Sequence, residues 1–178
     1  MREFASCTTV MMLTALMVVV AAPLSAQEFD YSDIDIEVRI TESRIPQGGS
    51  STLIIRIEVP YGFSLSAMDG VFDIVPLNEI EGVTFGDLQN PPPDKVDEVG
   101  GHYLGETIFR LPFTIADIPP GEREIILGFM LQICDEESGM CMFPSDPEDI
   151  QRSVKFEIVG VEKEAPAQQP SADRGSVA

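Results

Sequence analysis

The sequence predicts an all-β fold, an immunoglobulin-like β-sandwich, and three observations carry that expectation. Apolar residues alternate with polar ones over short runs, the period of a strand with one buried face. Glycine and proline turns separate these runs at the spacing of a sandwich or barrel. No segment beyond the N-terminal apolar stretch has helical periodicity. Taken in order, Ile34, Ile36, Val38 and Ile40 alternate through the first strand, and Pro46 to Ser50 turns the chain. Leu53, Ile55, Ile57 and Val59 resume the period, and Pro60 stops it. Val71 to Val75 and Gly82 to Phe85 are shorter strands. Phe109, Leu111 and Phe113 mark the next, and Pro119-Pro120-Gly121 turns the chain again. Glu124 to Ile133 is a long β-branched and apolar run, and Val154, Phe156 and Ile158 form the last strand. Roughly seven to nine strands are expected. A jelly roll or barrel is the alternative architecture.

Three segments fall outside this pattern. Arg2, the apolar run from Val10 to Ala22 and the small residues Leu24-Ser25-Ala26 read as a secretory signal over residues 1–26. The run is shorter than the roughly 20 residues of a membrane span. Its removal takes Cys7 away, and Cys7 is not placed for a lipid anchor. The folded domain is then expected over 27–161, without a membrane-embedded part, followed by a disordered tail over 162–178 rich in Ala, Pro, Gln and Ser. Export, with the periplasm as the expected compartment, places the remaining cysteines where a disulfide persists. Asp87 to Gly101, with Pro91-Pro92-Pro93 and Gly100-Gly101, reads as a long loop of the kind that carries function.

Thirty acidic residues against eleven basic ones give a formal charge of −19. Such a surface repels nucleic acid and anionic lipid and keeps the protein soluble. With one histidine, no histidine-based metal cluster is possible, and no acid/base pair is singled out by spacing. Asp30 to Asp33 and Asp146 to Asp149 fit no EF-hand loop and read as solvated turns. No cofactor and no bound metal are expected.

Sulfur is the one reactive chemistry on offer. Cys134 and Cys141 flank Asp135-Glu136-Glu137-Ser138-Gly139-Met140. A bridge between them clips a local loop, provided the Cα atoms come within about 7 Å. Loop entropy gives such a closure about 2.5 kcal/mol, less than a long-range staple. A plain stabilising clasp in a non-catalytic binding module is therefore one reading. Copper handling by Met130, Met140, Met142, the two cysteines and His102 is another, from the softness of those ligands. Electron exchange through the pair is the third. The carboxylates of Asp135, Glu136 and Glu137 disfavour a thiolate and predict a comparatively reducing disulfide, unless Arg110 or Lys155 folds beside it.

Gln132, Cys134, Gly139, Cys141, Phe143 and Pro144 give a pattern of Gln two residues before the first cysteine, a short loop, then cysteine, aromatic and proline. This resembles the active-site region of the N-terminal domain of the bacterial thiol:disulfide interchange protein DsbD. Val59-Pro60-Tyr61-Gly62-Phe63 and the passage from Tyr103 to Arg110 extend the likeness upstream, so that it covers most of residues 35–160. The inter-cysteine loop is one residue longer than the family's, and Met142-Phe143-Pro144 replaces its aromatic-Pro-Pro run. The resemblance implies an immunoglobulin-like sandwich and thiol–disulfide exchange. Cys141 would form the mixed disulfide and Cys134 would resolve it, with Gln132, Phe143 and Pro144 in support. Tyr103, with His102 beside it, would shield the cysteines as a cap. The implied partners are a thioredoxin-like or membrane thiol–disulfide transporter and oxidised periplasmic proteins. The family's transmembrane and thioredoxin-like domains have no counterpart in these residues, so exchange with separate proteins is expected.

Overall fold

The computed structural model describes residues 29–142 and 144–160. The expected signal over 1–26, the expected tail over 162–178 and Phe143 lie outside the described residues. A single turn of 3-10 helix, Tyr31–Asp33, opens the domain, capped by the Asp30 carboxylate on the Ser32 N–H. Twelve strands follow among the described residues: β1 (Asp35–Ile40), β2 (Arg44–Pro46), β3 (Ser50–Glu58), β4 (Phe63–Ser66), β5 (Asp73–Pro76), β6 (Val83–Phe85), β7 (Lys95–Val96), β8 (Gly101–Tyr103), β9 (Glu106–Ile115), β10 (Gly121–Met130), β11 (Ile133–Asp135) and β12 (Gln151–Val159).

They form an all-β sandwich with a third, smaller sheet. One large sheet has the order β1-β3-β9-β6, the other β2-β12-β10-β5. The alternation seen in the sequence decides their faces. Leu53 and Ile55 of β3 stand opposite Leu111 and Phe109 of β9, and all four are buried. The facing sheet supplies Ile125, Leu127 and Phe129 from β10 and Phe156 and Ile158 from β12. Phe113 and Phe156 meet across the sandwich with ring centroids 5.6 Å apart. Each such buried side chain contributes about 1.5–3 kcal/mol relative to exposure.

The long run from Glu124 to Ile133 is two strands rather than one. After β10 the chain leaves the large sheet at Leu131 and Gln132 and enters the small sheet, of order β11-β4-β8-β7. Ser145, itself buried, makes that departure possible. Its hydroxyl accepts from the Leu131 N–H and donates to the Phe129 carbonyl, both at 3.0 Å, and its N–H donates to the Leu131 carbonyl. Backbone groups stranded between two sheets thus keep their partners, which burial demands. Strand count exceeds the expected seven to nine because β2, β4, β7 and β8 are short or polar. The stretch from Asp87 to Gly101 is ordered: Gln89 exchanges backbone hydrogen bonds with Arg110, and β7 pairs with β8 inside it.

Candidate functional site

The small sheet has two unlike faces. Alternation sends Ile133, Leu65 and Tyr103 to the back, where all are buried against the end of the sandwich core. The Tyr103 ring lies 5.2 Å from Phe109 and 6.1 Å from Phe72, and its hydroxyl donates to the Pro91 carbonyl at 3.1 Å. Burial pushes the Tyr103 phenol up. The front carries Cys134, Ser64, Ser66, His102 and Lys95. Gln132 shares that front with Cys134, two residues along, and its carbonyl accepts from the Ser66 N–H.

Cys134 and Cys141 are bonded to each other. The hairpin that joins them is set by its own backbone. Asp135 N–H donates to the Met140 carbonyl and Met142 N–H to the Ile133 carbonyl, so the cysteines occupy the non-hydrogen-bonded pair between. Their Cα atoms are 3.9 Å apart, the close approach typical of such pairs. Gly139 makes the turn at φ 68°, a backbone conformation that side chains resist. The Asp135 carboxylate closes it, accepting from the N–H groups of Ser138 and Glu137 and from the Ser138 hydroxyl. Those hydrogen bonds, the Ser138 N–H foremost, hold the Asp135 carboxyl below its ordinary range.

The two halves of the bridge differ in access. Cys134 is 4 % exposed, whereas Cys141 is open to solvent. Behind Cys134 lies a chain of polar groups. Ser64, fully buried, stands directly opposite Cys134 in the β4–β11 register. The Ser64 Oγ is 3.5 Å from Nδ1 of His102, and Nε2 of that ring is 3.4 Å from Oδ2 of Asp97. The imidazole is 6 % exposed, and its Nε2 is sealed from solvent without an aligned hydrogen bond, the Asp97 carboxylate being close but off axis. Asp97 also accepts from the Val99 and Gly100 N–H groups, and the Val99 contact leads in lowering its carboxyl. Glu136 leans over the same front. The Ser64 hydroxyl, then the Lys95 ammonium at 3.2 Å, hold its carboxyl below the ordinary range.

Several expectations change on this geometry. His102 does lie on the face of Cys134, but Tyr103 points the other way. Neighbouring residues of one strand face opposite sides, so the Tyr103 ring fills the core and is not a cap over the sulfurs. Pro144 is half-buried and leads into Ser145. The cation that reaches the cysteine loop is Lys95, not Arg110 or Lys155. Arg110 lies on β9 opposite Ile54, and Lys155 faces Glu124 on β10. Lys95 offsets the charge of Glu136, while the Asp135 carboxylate, tied into its own turn, stays ionised beside Cys134. Sequence reading passed over Ser64, Lys95 and Ser145, and weighed Glu136 only as a charge beside Cys134. A signal for Ser64 existed in Phe63-Ser64-Leu65-Ser66, whose strict alternation marks a strand with serines on one face.

Of the soft ligands, Met140 is exposed, Met142 is half-buried against the core and Met130 sits in β10. The carboxylates of Asp30 and Asp146 cap N–H groups of their own turns. Among the described residues no helix is long and apolar enough to cross a membrane. Neither protein-family models nor curated proteins supply a match to this chain.

Proposed function

We propose that this domain passes electrons by thiol–disulfide exchange through Cys134 and Cys141. In this reading it is exported to the periplasm. There it stands between a thioredoxin-like or membrane thiol donor and oxidised client proteins. The observation that carries the reading is the split in access across one bond, with Cys141 open to solvent and Cys134 buried. An incoming donor thiolate reaches Cys141, a mixed disulfide forms there, and the donor's second thiol completes the reduction. Reduced Cys141 then attacks a client disulfide, and Cys134, held back, resolves that second mixed disulfide. This division matches the roles implied by the likeness to the DsbD N-terminal domain.

Two further features support it. The hairpin is hydrogen-bonded independently of the sulfurs, so opening the bond need not unfold the loop. Apart from Leu77, the large apolar side chains left exposed among the described residues are Tyr61, Met68, Val96, Val99, Leu104 and Met140. All six belong to the small sheet or its loops, and clustered exposed apolar groups mark places where partners dock.

The test is reduction of the folded protein. Mild dithiothreitol should open the bond with the β circular-dichroism spectrum unchanged. Cys134→Ser should then capture a thioredoxin-like partner through Cys141 as a stable mixed disulfide. A bond that resists reduction until denaturant unfolds the domain would instead establish the structural clasp, a reading that the burial of Cys134 favours.

A further inference from the structure

The histidine behind the cysteine pair has no structural reason to be a histidine. It is buried on a polar face, one ring nitrogen meets a serine, and the other faces a carboxylate that it does not bond in line. An apolar residue would spare the cost of burying two polar nitrogens. We propose that His102 is a positioning residue for thiol–disulfide exchange, supplying through Ser64 the proton that Cys134 needs when the disulfide opens. This rests on the exchange reading above and adds a group to it.

The chemistry balances as follows. A thiolate of the donor dithiol attacks Sγ of Cys141, and the S–S bond breaks with its electron pair on Sγ of Cys134. Ser64, directly opposite on the same face, gives its hydroxyl proton to that sulfur as it takes one from Nδ1 of His102. Side chains opposed in this way have Cβ atoms about 4.5–5.5 Å apart, within reach of a hydroxyl and a sulfur. The donor's second thiolate then attacks its own sulfur in the mixed disulfide. Cys141 leaves with the electron pair and takes its proton from water at the exposed surface. Two electrons pass from the donor, which ends as a disulfide; of the two protons its thiols release, one restores the imidazolium and the other replaces the one taken from water.

Charged groups surround the ring. Asp97 stands at Nε2 and Glu136 lies across the front. Lys95, directly opposite His102 on β7, is paired with Glu136. Asp94, whose backbone N–H donates to the His102 carbonyl, spends its carboxylate on the Leu104 N–H. While the disulfide is closed, the Ser64 hydroxyl serves Glu136; a thiolate forming at Cys134 competes for it. Imidazole is the side chain that exchanges a proton near neutrality.

The experiment follows reduction of the full chain by dithiothreitol between about pH 5.5 and 8.5, with rates corrected for the reagent's thiolate fraction, a window that spans histidine titration. The wild-type corrected rate should fall as the pH rises. His102→Gln should be slower at the acid end by about a hundredfold, the lower end of the range for proton transfer, and should show no such fall. Asp97→Asn keeps the imidazole and the turn but removes the facing charge, and should move the fall to lower pH. A folded His102→Gln with the wild-type profile overturns the proposal. Should that variant not fold, an unmoved profile in Asp97→Asn overturns it, and a shift to lower pH upholds it. A wild-type disulfide that never reduces while folded removes the exchange reading itself, and this proposal with it.

Discussion

Strands β3 and β9 bury Leu53, Ile55, Phe109 and Leu111 against a facing sheet, whereas strands β4 and β8 bury Ser64, Ser66 and His102 on a face that carries a disulfide. Both regions exclude water, but with different materials. In the large sandwich the buried groups are apolar apart from Ser51 and Thr107 and contribute mainly by burial. In the small sheet the buried groups are polar, and each needs a partner to repay its desolvation. The first arrangement holds the chain together. The second holds particular atoms beside Cys134, and it borrows its stability from the first through Leu65, Ile133 and Tyr103 on its back.

Substitutions should separate the two regions. The largest effect belongs to the core: Phe109→Ala removes a fully buried ring that touches both Phe72 and Tyr103. It should lower the unfolding free energy by about 3–5 kcal/mol in urea titrations. The small sheet should loosen with the sandwich, as faster amide exchange in β8. A loss confined to the sandwich would show that the two regions are energetically independent. Ser145→Ala cuts the seam itself. It leaves the Leu131 N–H and the Phe129 carbonyl without their side-chain partner in a buried site, at a cost of about 1–3 kcal/mol. The same titrations measure it, and an unchanged midpoint would mean the seam is held by the sheets alone.

The smallest effect is acid sensitivity of the front face. Asp135, Glu136 and Asp97 are all held below their ordinary range by hydrogen bonds. A carboxyl lowered in the folded state adds stability that is complete above the unfolded range, about pH 4 to 4.5, and is lost as the pH falls through the lowered values. Melting temperature should therefore hold steady down to that range and drop below it. Lys95→Ala removes one support of Glu136 and lifts its folded-state carboxyl toward the unfolded range, so the acid-dependent loss should be smaller than in wild type and end at higher pH. Coincident curves for the two proteins would show that the ion pair is fully screened.

The same contrast explains what the sequence made legible. Strands β3, β9 and β12 announce themselves because one side of each must be apolar, and that requirement prints a period of two in the residues. Strand β4 shows the same alternation, but its serines fill the polar half of the pattern while buried, and alternation does not tell that this half is sealed from water. Strands β7 and β8, two and three residues long, carry too few positions for any period. The cysteine pair was legible from residue type, and the likeness to a known redox domain put Cys141 foremost. Tyr103 and His102 are neighbours in sequence, but a strand sends neighbours to opposite sides, so only His102 shares the face of Cys134. Lys95 was beyond reach, since the β7–β8 pairing sets it opposite His102.

The route of β10 has a consequence for how the domain presents itself. Its ten residues cover roughly 30 Å, from Gly121 at one end of the sandwich to the seam with the small sheet at the other. Strand β12 runs back along it, with Ile158 beside Gly121, so Gly160 emerges at the pole remote from the sulfurs. A tether or surface attachment made through Gly160 would therefore hold the molecule like a lamp on a stalk, the end that carries Cys134 and Cys141 turned outward.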